Sequence, residues 1–113
     1  MGDGDWVKEL GIGITVCDRE GIALELNDRA AETFAKDGGR DLLGRSLLDC
    51  HPEPARRRFA ELLLTRATNV YTIEKAGVKK LIYQVPWTVD GEFRGLVELS
   101  LPIPFDLPHF VRT

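Results

Sequence analysis

Hydrophobic and polar residues alternate with a period of two near the start of the chain. The alternation covers residues 12–17 and 22–26, and the turn Asp18-Arg19-Glu20-Gly21 separates the two segments. Such alternation is typical of strands that are buried on one face. Two alternating segments joined by a short turn predict a β-hairpin.

The hydrophobic period then changes to about 3.6, which predicts a helix. Asn27 is a candidate N-cap, because its side chain can accept a hydrogen bond from the first unpaired backbone N–H groups. Glu32 and Lys36 are spaced as an i,i+4 pair on the polar face of this helix, and Gly38-Gly39 is expected to end it.

Two further helical segments are predicted before the period changes back. A short one covers residues 41–49, and a longer one begins after Pro52, since proline is favoured in the first turn of a helix. The longer helix carries three consecutive arginines at 56–58. With Glu61 nearby, these arginines predict a solvent-exposed helix face rather than a partner site.

Alternation with period two returns in the last third of the chain. It predicts strands at 70–75, 81–89 and 93–101, and Asp90-Gly91 is a strong hairpin turn between the last two. The predicted order is therefore β-β-α-α-α-β-β-β. Helices grouped in the middle indicate an α+β fold, with a five-stranded antiparallel sheet and helices on one face.

The length indicates one domain. The chain has 113 residues, of which 43% are hydrophobic, and this is too short for two ordinary domains. We expect a single domain over residues 1–113 with its core at about 10–103. A helical segment at 3–10 precedes the core, and a tail at 104–113 follows it.

Charge and composition exclude several classes of protein. The formal net charge is −3, which argues against a non-specific nucleic-acid binder. No apolar run approaches the roughly 18 residues of a membrane span, and the first residues lack the features of a signal peptide. Two cysteines are too few for a disulfide-stapled secreted domain. We therefore expect a cytoplasmic protein without membrane or nucleic-acid partners.

Several short motifs, in register with this order of elements, resemble those of PAS domains, the small sensory modules of signalling proteins. Asp18-Arg19-Glu20-Gly21 resembles the first hairpin turn of the family, and Asn27 the asparagine that opens its first central helix. Leu42-Leu43-Gly44-Arg45-Ser46 is similar to a leucine–glycine–basic stretch, and Asp90-Gly91 followed by Gly95 to the last hairpin. The resemblance covers about residues 10–103 and implies the PAS fold.

The triplet Cys50-His51-Pro52 narrows the resemblance. It is similar to a PAS subgroup with Cys-His-Pro before the long helix, found for instance in bacterial regulators that also carry hemerythrin-like domains. This resemblance implies a fold and a signalling role, and it does not identify a ligand.

No cofactor is favoured by the candidate residues. Leu47 stands where light-sensing PAS relatives have their reactive cysteine, so a flavin is not expected. Haem bound through His51 remains a less favoured alternative, because imidazole is a normal axial ligand. No metal site is predicted, since the cysteines and histidines are not spaced as ligand pairs. Adjacent side chains usually diverge, so a thiolate–imidazole pair of Cys50 and His51 is not expected and no enzyme is predicted either.

A pocket between the sheet and the helices would suit a small apolar or amphipathic molecule. The alternative is a solidly packed core that binds nothing. The candidate ligand-binding residues are Phe34, His51, Phe59, Leu63, Tyr83, Trp87 and Val97.

The opposite sheet face is expected to carry apolar residues that need a cover. The N-terminal segment can supply that cover in the same chain or in a second subunit, and the PAS resemblance implies a homodimer. The candidate interface residues are Trp6, Val7, Leu10, Ile82 and Leu96.

The resulting functional hypothesis is a non-catalytic sensory or protein-interaction module in bacterial-type signal transduction. It would bind a small molecule or a signalling partner and act through dimer or partner contacts. A ligand-free dimerisation module is the main alternative, and a haem sensor that uses His51 is the less favoured one.

Overall fold

The fold consists of one antiparallel sheet with short helices on one side, in a computed structural model that describes residues 5–113. The strands lie in the order β2-β1-β5-β4-β3. The predicted α+β class with a five-stranded antiparallel sheet is confirmed. The elements are α1 (Asp5–Lys8), β1 (Gly13–Cys17), β2 (Ala23–Leu26), α2 (Asp28–Thr33), α3 (Ala55–Thr65), β3 (Asn69–Lys75), β4 (Val78–Val89) and β5 (Glu92–Ile103), with 3₁₀ turns at Ala35–Asp37 and Gly39–Leu42 between α2 and α3.

The N-terminal helical segment predicted at 3–10 begins outside the described residues, and α1 covers its central part. Among residues 5–113, no helix has both the length and the apolar character that crossing a membrane requires.

Asn27 joins three segments at the start of α2. Its side chain is fully buried, and its Oδ1 accepts hydrogen bonds from the backbone N–H of Ala30 (3.0 Å) and of Ile14 (2.9 Å). Its Nδ2 donates to the carbonyl oxygens of Val7 (2.9 Å) and Ile12 (2.8 Å). The predicted N-cap is confirmed, and the same amide also ties the N-terminal segment and β1 to the helix.

The predicted i,i+4 pair of Glu32 and Lys36 is wrong, because α2 ends earlier than its periodicity indicates. Phe34 donates its backbone N–H to Ala30, and the chain then tightens into the 3₁₀ turn Ala35–Asp37. Glu32 instead lies 4.0 Å from Arg29. The early end of α2 leaves Lys36 on a different segment, where it is free to face the sheet.

Helix α3 packs one face on the core and leaves its arginines in solvent, as predicted. Phe59 and Leu62 are buried, whereas Arg58 forms an ion pair with Glu61 at 3.1 Å. Exposed pairs of this kind contribute little to stability. The helix therefore holds its place through the burial of its apolar face.

The helix-covered face of the sheet is the opposite of the predicted one. Ile82 and Leu96, predicted to be on the uncovered face, are 6% and 2% exposed beneath the helical segments. Residues 81, 83, 85, 97 and 99 face away from the helices. The prediction failed because β4 and β5 carry apolar side chains on both faces, so alternation alone does not identify the covered one.

Candidate functional site

A cleft of about 610 Å³ lies between the segment 30–36 and the β3–β4 half of the sheet. We call it the sheet–helix cleft. Its apolar wall consists of Phe34 from the helical side with Ile73, Val78 and Ile82 from the strands. A concave site with mostly apolar walls and a few polar groups is the usual form of a small-molecule site. The polar lining residues are Thr15, Glu32, Thr33, Lys36, His51, Tyr71, Lys75, Lys80, Glu98 and Ser100.

The outer end of the cleft is positively charged. Lys75 and Lys80 line it from the β3–β4 hairpin, and Lys36 lines it from the turn after α2. Within residues 5–113, none of these three ammonium groups forms an ion pair or a side-chain hydrogen bond. Three uncompensated lysines on facing walls create a local positive potential that attracts an anion.

A carboxylate lies at the inner end of the cleft. Glu98 on β5 accepts a hydrogen bond from the side-chain Nε2 of Gln84 at 2.8 Å. Gln84 is its hydrogen-bond partner among residues 5–113, so the carboxylate keeps further capacity to accept. The remaining acceptor capacity beside apolar walls therefore favours a ligand group that donates a hydrogen bond.

A row of polar side chains continues from Glu98 across the covered face of the sheet, and we call it the polar ladder. Gln84 accepts from the Nδ2 of Asn69 at 2.8 Å, and Asn69 accepts from Arg58 at 3.2 Å. Strand register places Glu98, Gln84 and Asn69 directly beside one another. Because each amide has a donor on one side and an acceptor on the other, the ladder fixes the orientation of both amides.

Tyr71 also lines the cleft, next to Ile82 in the strand register. Burial raises the pKa of its phenol, and the nearby carboxylate of Glu98 adds to the increase. A phenol with a raised pKa stays protonated at neutral pH. Tyr71 therefore offers the cleft an O–H donor and an aromatic ring.

His51 reaches the cleft from the loop before α3. Its Nδ1 lies 2.5 Å from the carbonyl oxygen of Leu47, and its ring stacks on Phe59 with centroids 5.3 Å apart. Since a carbonyl oxygen only accepts, Nδ1 carries the proton and Nε2 remains an acceptor in neutral His51. The ring is thus held in one orientation by a backbone bond and by stacking.

Both cysteine thiols are held in the protonated form. Burial raises the pKa of Cys17 to about 11. Burial is also the main cause that raises the pKa of Cys50, with Asp37 adding to it, and the Sγ of Cys50 donates to Leu47 at 3.2 Å. The thiolate is the nucleophilic form of cysteine, so neither thiol is activated for catalysis. Among residues 5–113, no group of three His, Cys, Asp or Glu side chains is placed to hold a metal ion.

The core behind His51 is nearly solid. The enclosed space between Cys17, Leu47, Phe59 and Leu96 has a volume of about 10 Å³, which holds no more than a water molecule. A ligand beside His51 and the covered sheet face would therefore occupy the open sheet–helix cleft and not an internal cavity.

The structure brings together only part of the predicted ligand-binding set. Phe34 and His51 line the cleft, Phe59 lines the small enclosed space, and Leu63 packs at the edge of the core. Tyr83, Trp87 and Val97 lie on the uncovered face, so their assignment to the pocket is wrong. The reason is the reversed sheet face described above.

Trp87 has a structural role on that face. Its Nε1 donates to the carbonyl oxygen of Cys17 at 3.0 Å. The paired residue Gly95 has φ 155°, and a Cβ there would lie 1.9 Å from the same oxygen. Gly95 is therefore required for the close approach of β5 to the end of β1, where Trp87 binds the carbonyl oxygen of Cys17.

The cleft residues that the sequence did not identify lie on alternate positions of the same strands. Glu98, Lys80 and Tyr71 line the cleft, Gln84 beside Glu98 lines the small enclosed space, and all four belong to the covered face. One feature of the sequence could have identified them. Gln84 follows Ile82 by two residues, and Glu98 follows Leu96 by two residues, so each strand has a polar side chain next to an apolar one on the same face. Such polar side chains are unusual on a face that serves only for packing. This feature could be used only once the covered face was known.

The predicted interface residues do not form one surface. Trp6 is 74% exposed, and Val7 and Leu10 are half-buried near the start of the chain. Ile82 and Leu96 face the helices and are too deeply buried to contact a second subunit, so their assignment is wrong. The apolar residues that remain partly or fully accessible on the uncovered face are Val70, Leu81, Tyr83, Val85, Val97, Leu99 and Leu101.

Comparison with protein families gives one match. The sequence model of the family described as PAS fold matches residues 7–103, which is most of the chain. A comparison with curated proteins gives no match.

Solved structures with this fold are similar to the chain at low sequence identity. A C-terminal domain from Streptococcus mutans has 20% identity and a TM-score of 0.68, over 86% of this chain and 79% of that one. The PAS domain of BvgS from Bordetella pertussis has 24% identity and a TM-score of 0.62, over 88% of this chain and 82% of that one. The Aer2 receptor from Vibrio cholerae, described as a dual PAS–haem oxygen sensor, has 19% identity and a TM-score of 0.58, over 82% and 95%.

Proposed function

Since the chain belongs to the PAS fold family, we propose that it is a non-catalytic sensory module that binds a small organic molecule in the sheet–helix cleft. The observation that carries this proposal is the cleft itself, with its apolar walls and its uncompensated polar groups at both ends. The Bordetella PAS domain and a PAS domain of a histidine kinase are among the similar structures, which supports a signalling role.

A catalytic role is not supported by the polar groups of the cleft. Glu98 is held by Gln84, and the Nδ1 of His51 is held by Leu47. The thiols have raised pKa values and are not nucleophilic at neutral pH. This arrangement of fixed groups favours binding over proton transfer or covalent chemistry.

The output of the module is proposed to be a contact between two copies of the chain, or with a signalling partner, through the uncovered sheet face. Tyr83 is 38% exposed at the centre of β4, and Val70 beside it is 48% exposed. A contiguous apolar face of this kind is typical of an interaction surface. A ligand that prefers one conformation of the sheet would shift the population of that contact.

Sedimentation velocity tests the proposed homodimer. We expect dimers at high micromolar concentration and dissociation in Tyr83→Glu. The matched control is Leu64→Glu, because Leu64 is 84% exposed on α3, away from the uncovered face. A wild-type monomer at that concentration, or equal effects of the two variants, contradicts the homodimer.

Native mass spectrometry of the protein purified from cells, followed by NMR titration with tyrosol, a neutral hydroxyphenyl alcohol, tests the binding function. We expect a retained mass or tyrosol-induced shifts confined to the amides of cleft residues such as Phe34, Ile73 and Ile82. A protein with no retained mass and no cleft shifts at millimolar tyrosol supports the alternative, a ligand-free dimerisation module.

Haem binding is the second candidate, favoured by one observation. The bond from Nδ1 of His51 to Leu47 leaves Nε2 as the free nitrogen, which is the arrangement of a histidine that ligates a metal. The charged groups of the cleft and the nearly solid core behind His51 argue against it. A Soret band that disappears in His51→Ala would establish haem, and a colourless protein after reconstitution with hemin excludes it.

We also propose that the chain belongs to the subgroup with Cys50-His51-Pro52 before the long helix and that it is cytoplasmic. In this triplet Cys50 and His51 share the carbonyl oxygen of Leu47 as their hydrogen-bond acceptor. Their arrangement supports a structural role in shaping the loop before α3.

A further inference from the structure

We propose that the ligand of the sheet–helix cleft is an aromatic organic anion that carries a hydrogen-bond donor at the end opposite its anionic group. This inference rests on the proposed function and names the ligand class for the same site. It follows from three features of the cleft, namely its lysines, its aromatic walls and the carboxylate of Glu98.

The lysines define where the anionic group binds. Lys36, Lys75 and Lys80 come from two facing walls at the outer end of the cleft, and none of them has a carboxylate partner among the described residues. Glu32 also lines the cleft, but its carboxylate lies 4.0 Å from Arg29, and Asp37, which directly follows Lys36, lines a different depression. The outer end therefore lacks the anion that would balance its charge, and a ligand carboxylate supplies it.

Glu98 defines the other end. An anion placed beside its carboxylate would be repelled, whereas a hydroxyl or amino group would donate to it. Gln84, oriented in turn by Asn69, holds the carboxylate through a hydrogen bond within the sheet, so its position does not depend on the ligand. The electrostatics thus give the ligand one orientation.

The spacing of the two ends fits a molecule with one ring and a short chain. Lys80 and Gln84 are four residues apart on β4, and Glu98 is paired with Gln84. At about 3.3 Å per residue, the two ends are separated by about 13 Å along the strand, part of which is spanned by the long lysine side chain. Between them, Phe34 and Tyr71 face the cleft from opposite walls, as suits an aromatic ring.

Three probes separate these features by NMR titration and calorimetry. 3-(4-Hydroxyphenyl)propionate has the anion and the donor, 3-phenylpropionate lacks the donor, and tyrosol lacks the anion. We expect the first probe to bind in the cleft and each of the others to bind about tenfold more weakly, the effect of losing one charge-assisted hydrogen bond. Added salt should weaken the two carboxylates and not tyrosol.

Matched variants assign each end to a residue. Lys80→Gln should weaken both carboxylate probes and leave tyrosol unchanged, with Lys79→Gln as the control, because Lys79 is the neighbouring residue and does not line the cleft. Glu98→Gln should weaken the two hydroxyl-bearing probes and not 3-phenylpropionate, with Glu92→Gln on the same strand as the control. Circular dichroism and thermal unfolding verify that each variant is folded.

The outcomes distinguish this inference from the proposed function. If tyrosol binds in the cleft as tightly as the hydroxylated carboxylate, or if Lys80→Gln and Lys79→Gln behave alike, the ligand class is wrong and a cleft sensor remains. If none of the three probes shifts a cleft resonance at millimolar concentration, the ligand class is also overturned. The retained mass in native mass spectrometry then decides on the proposed function independently.

Discussion

The two faces of the sheet differ in how their side chains are organised. The covered face combines buried apolar residues with the polar ladder, in which each amide is oriented by hydrogen bonds to its neighbours. The uncovered face is apolar along its centre, and its only side-chain hydrogen bond among residues 5–113 is that of Trp87. This difference indicates that specific polar recognition belongs to the covered face and non-directional association to the uncovered one.

The largest expected effect comes from two adjacent residues on opposite faces. Ile82→Ala should lower the free energy of unfolding by about 2–5 kcal/mol, because it leaves a cavity beneath the helices. Tyr83→Ala should lower it by about 1 kcal/mol or less, since Tyr83 is an exposed residue. Urea unfolding of both variants measures this. The reverse order of effects would show that the covered face is assigned incorrectly.

The next effect depends on pH and concerns Cys17 under the helices. Its ordinary pKa of 9.0 is raised to about 11 by burial, so the unfolded chain loses this proton before the folded one does. The contribution of the Cys17 thiol to the free energy of unfolding is therefore fully present below pH 9. It is lost as the pH rises from 9 to 11, and the loss reaches about 3 kcal/mol. Unfolding of the wild type and of Cys17→Ala over this pH range measures the difference.

Cys17→Ala should lack this component of the pH dependence. Cys50→Ala should keep it and lose only the smaller contribution of its own thiol, which is less buried. Identical slopes for the wild type and Cys17→Ala between pH 9 and 11 are inconsistent with a buried thiol at this position.

A smaller effect is expected from the centre of the polar ladder. Gln84→Leu removes the partner of both Asn69 and Glu98, and we expect it to lower the stability by about 1–3 kcal/mol. Thr72→Val is the control on the uncovered side of β3, where Thr72 is exposed, and should change the stability by about 0.5 kcal/mol or less. Equal effects of the two substitutions argue against a structured ladder.

The smallest effect is expected at the exposed end of the ladder. Arg58→Ala should lower the stability by under about 1 kcal/mol, because Arg58 bonds Glu61 and Asn69 in solvent. Arg57→Ala should have no measurable effect, since its ion pair with Glu53 at 3.5 Å is exposed. A loss for Arg58→Ala as large as for Gln84→Leu would mean that the ladder is anchored at α3 and not at the sheet.

Local signals predicted the elements of the fold well. The alternation on the strands, the Asp90-Gly91 turn and the Asn27 cap depend on residues close in sequence, and each appears in the structure as predicted. The length of α2 was not predictable from its periodicity. It is set by backbone hydrogen bonds around Phe34 and by the left-handed Gly38, which reverse the chain after Thr33.

The site was predicted only in part, for a physical reason that involves both faces of the sheet. Phe34 and His51 were identified because their elements meet the sheet in any arrangement with helices on one face. Tyr83, Trp87 and Val97 were assigned to the wrong face because they are as apolar as Ile82 and Leu96. The charged members, Lys80 and Glu98, could be recognised only after the face was known.

The sequence by itself determined the five strands, the helices α2 and α3 and the α+β class, because these follow from periods and turns within a few residues. The helical segment predicted at 41–49 is wrong: the chain forms a 3₁₀ turn at Gly39–Leu42 and then turns, and Ser46 pairs with Ile22 in an isolated bridge. The tertiary structure decided which sheet face the helices cover, because that choice depends on packing between α2, α3 and strands distant in sequence. With that choice it also decided that three lysines and Glu98 share one cleft. When both faces of a strand are apolar, hydrophobic periodicity does not distinguish the covered face from the uncovered one, and only the packing of the helices decides between them.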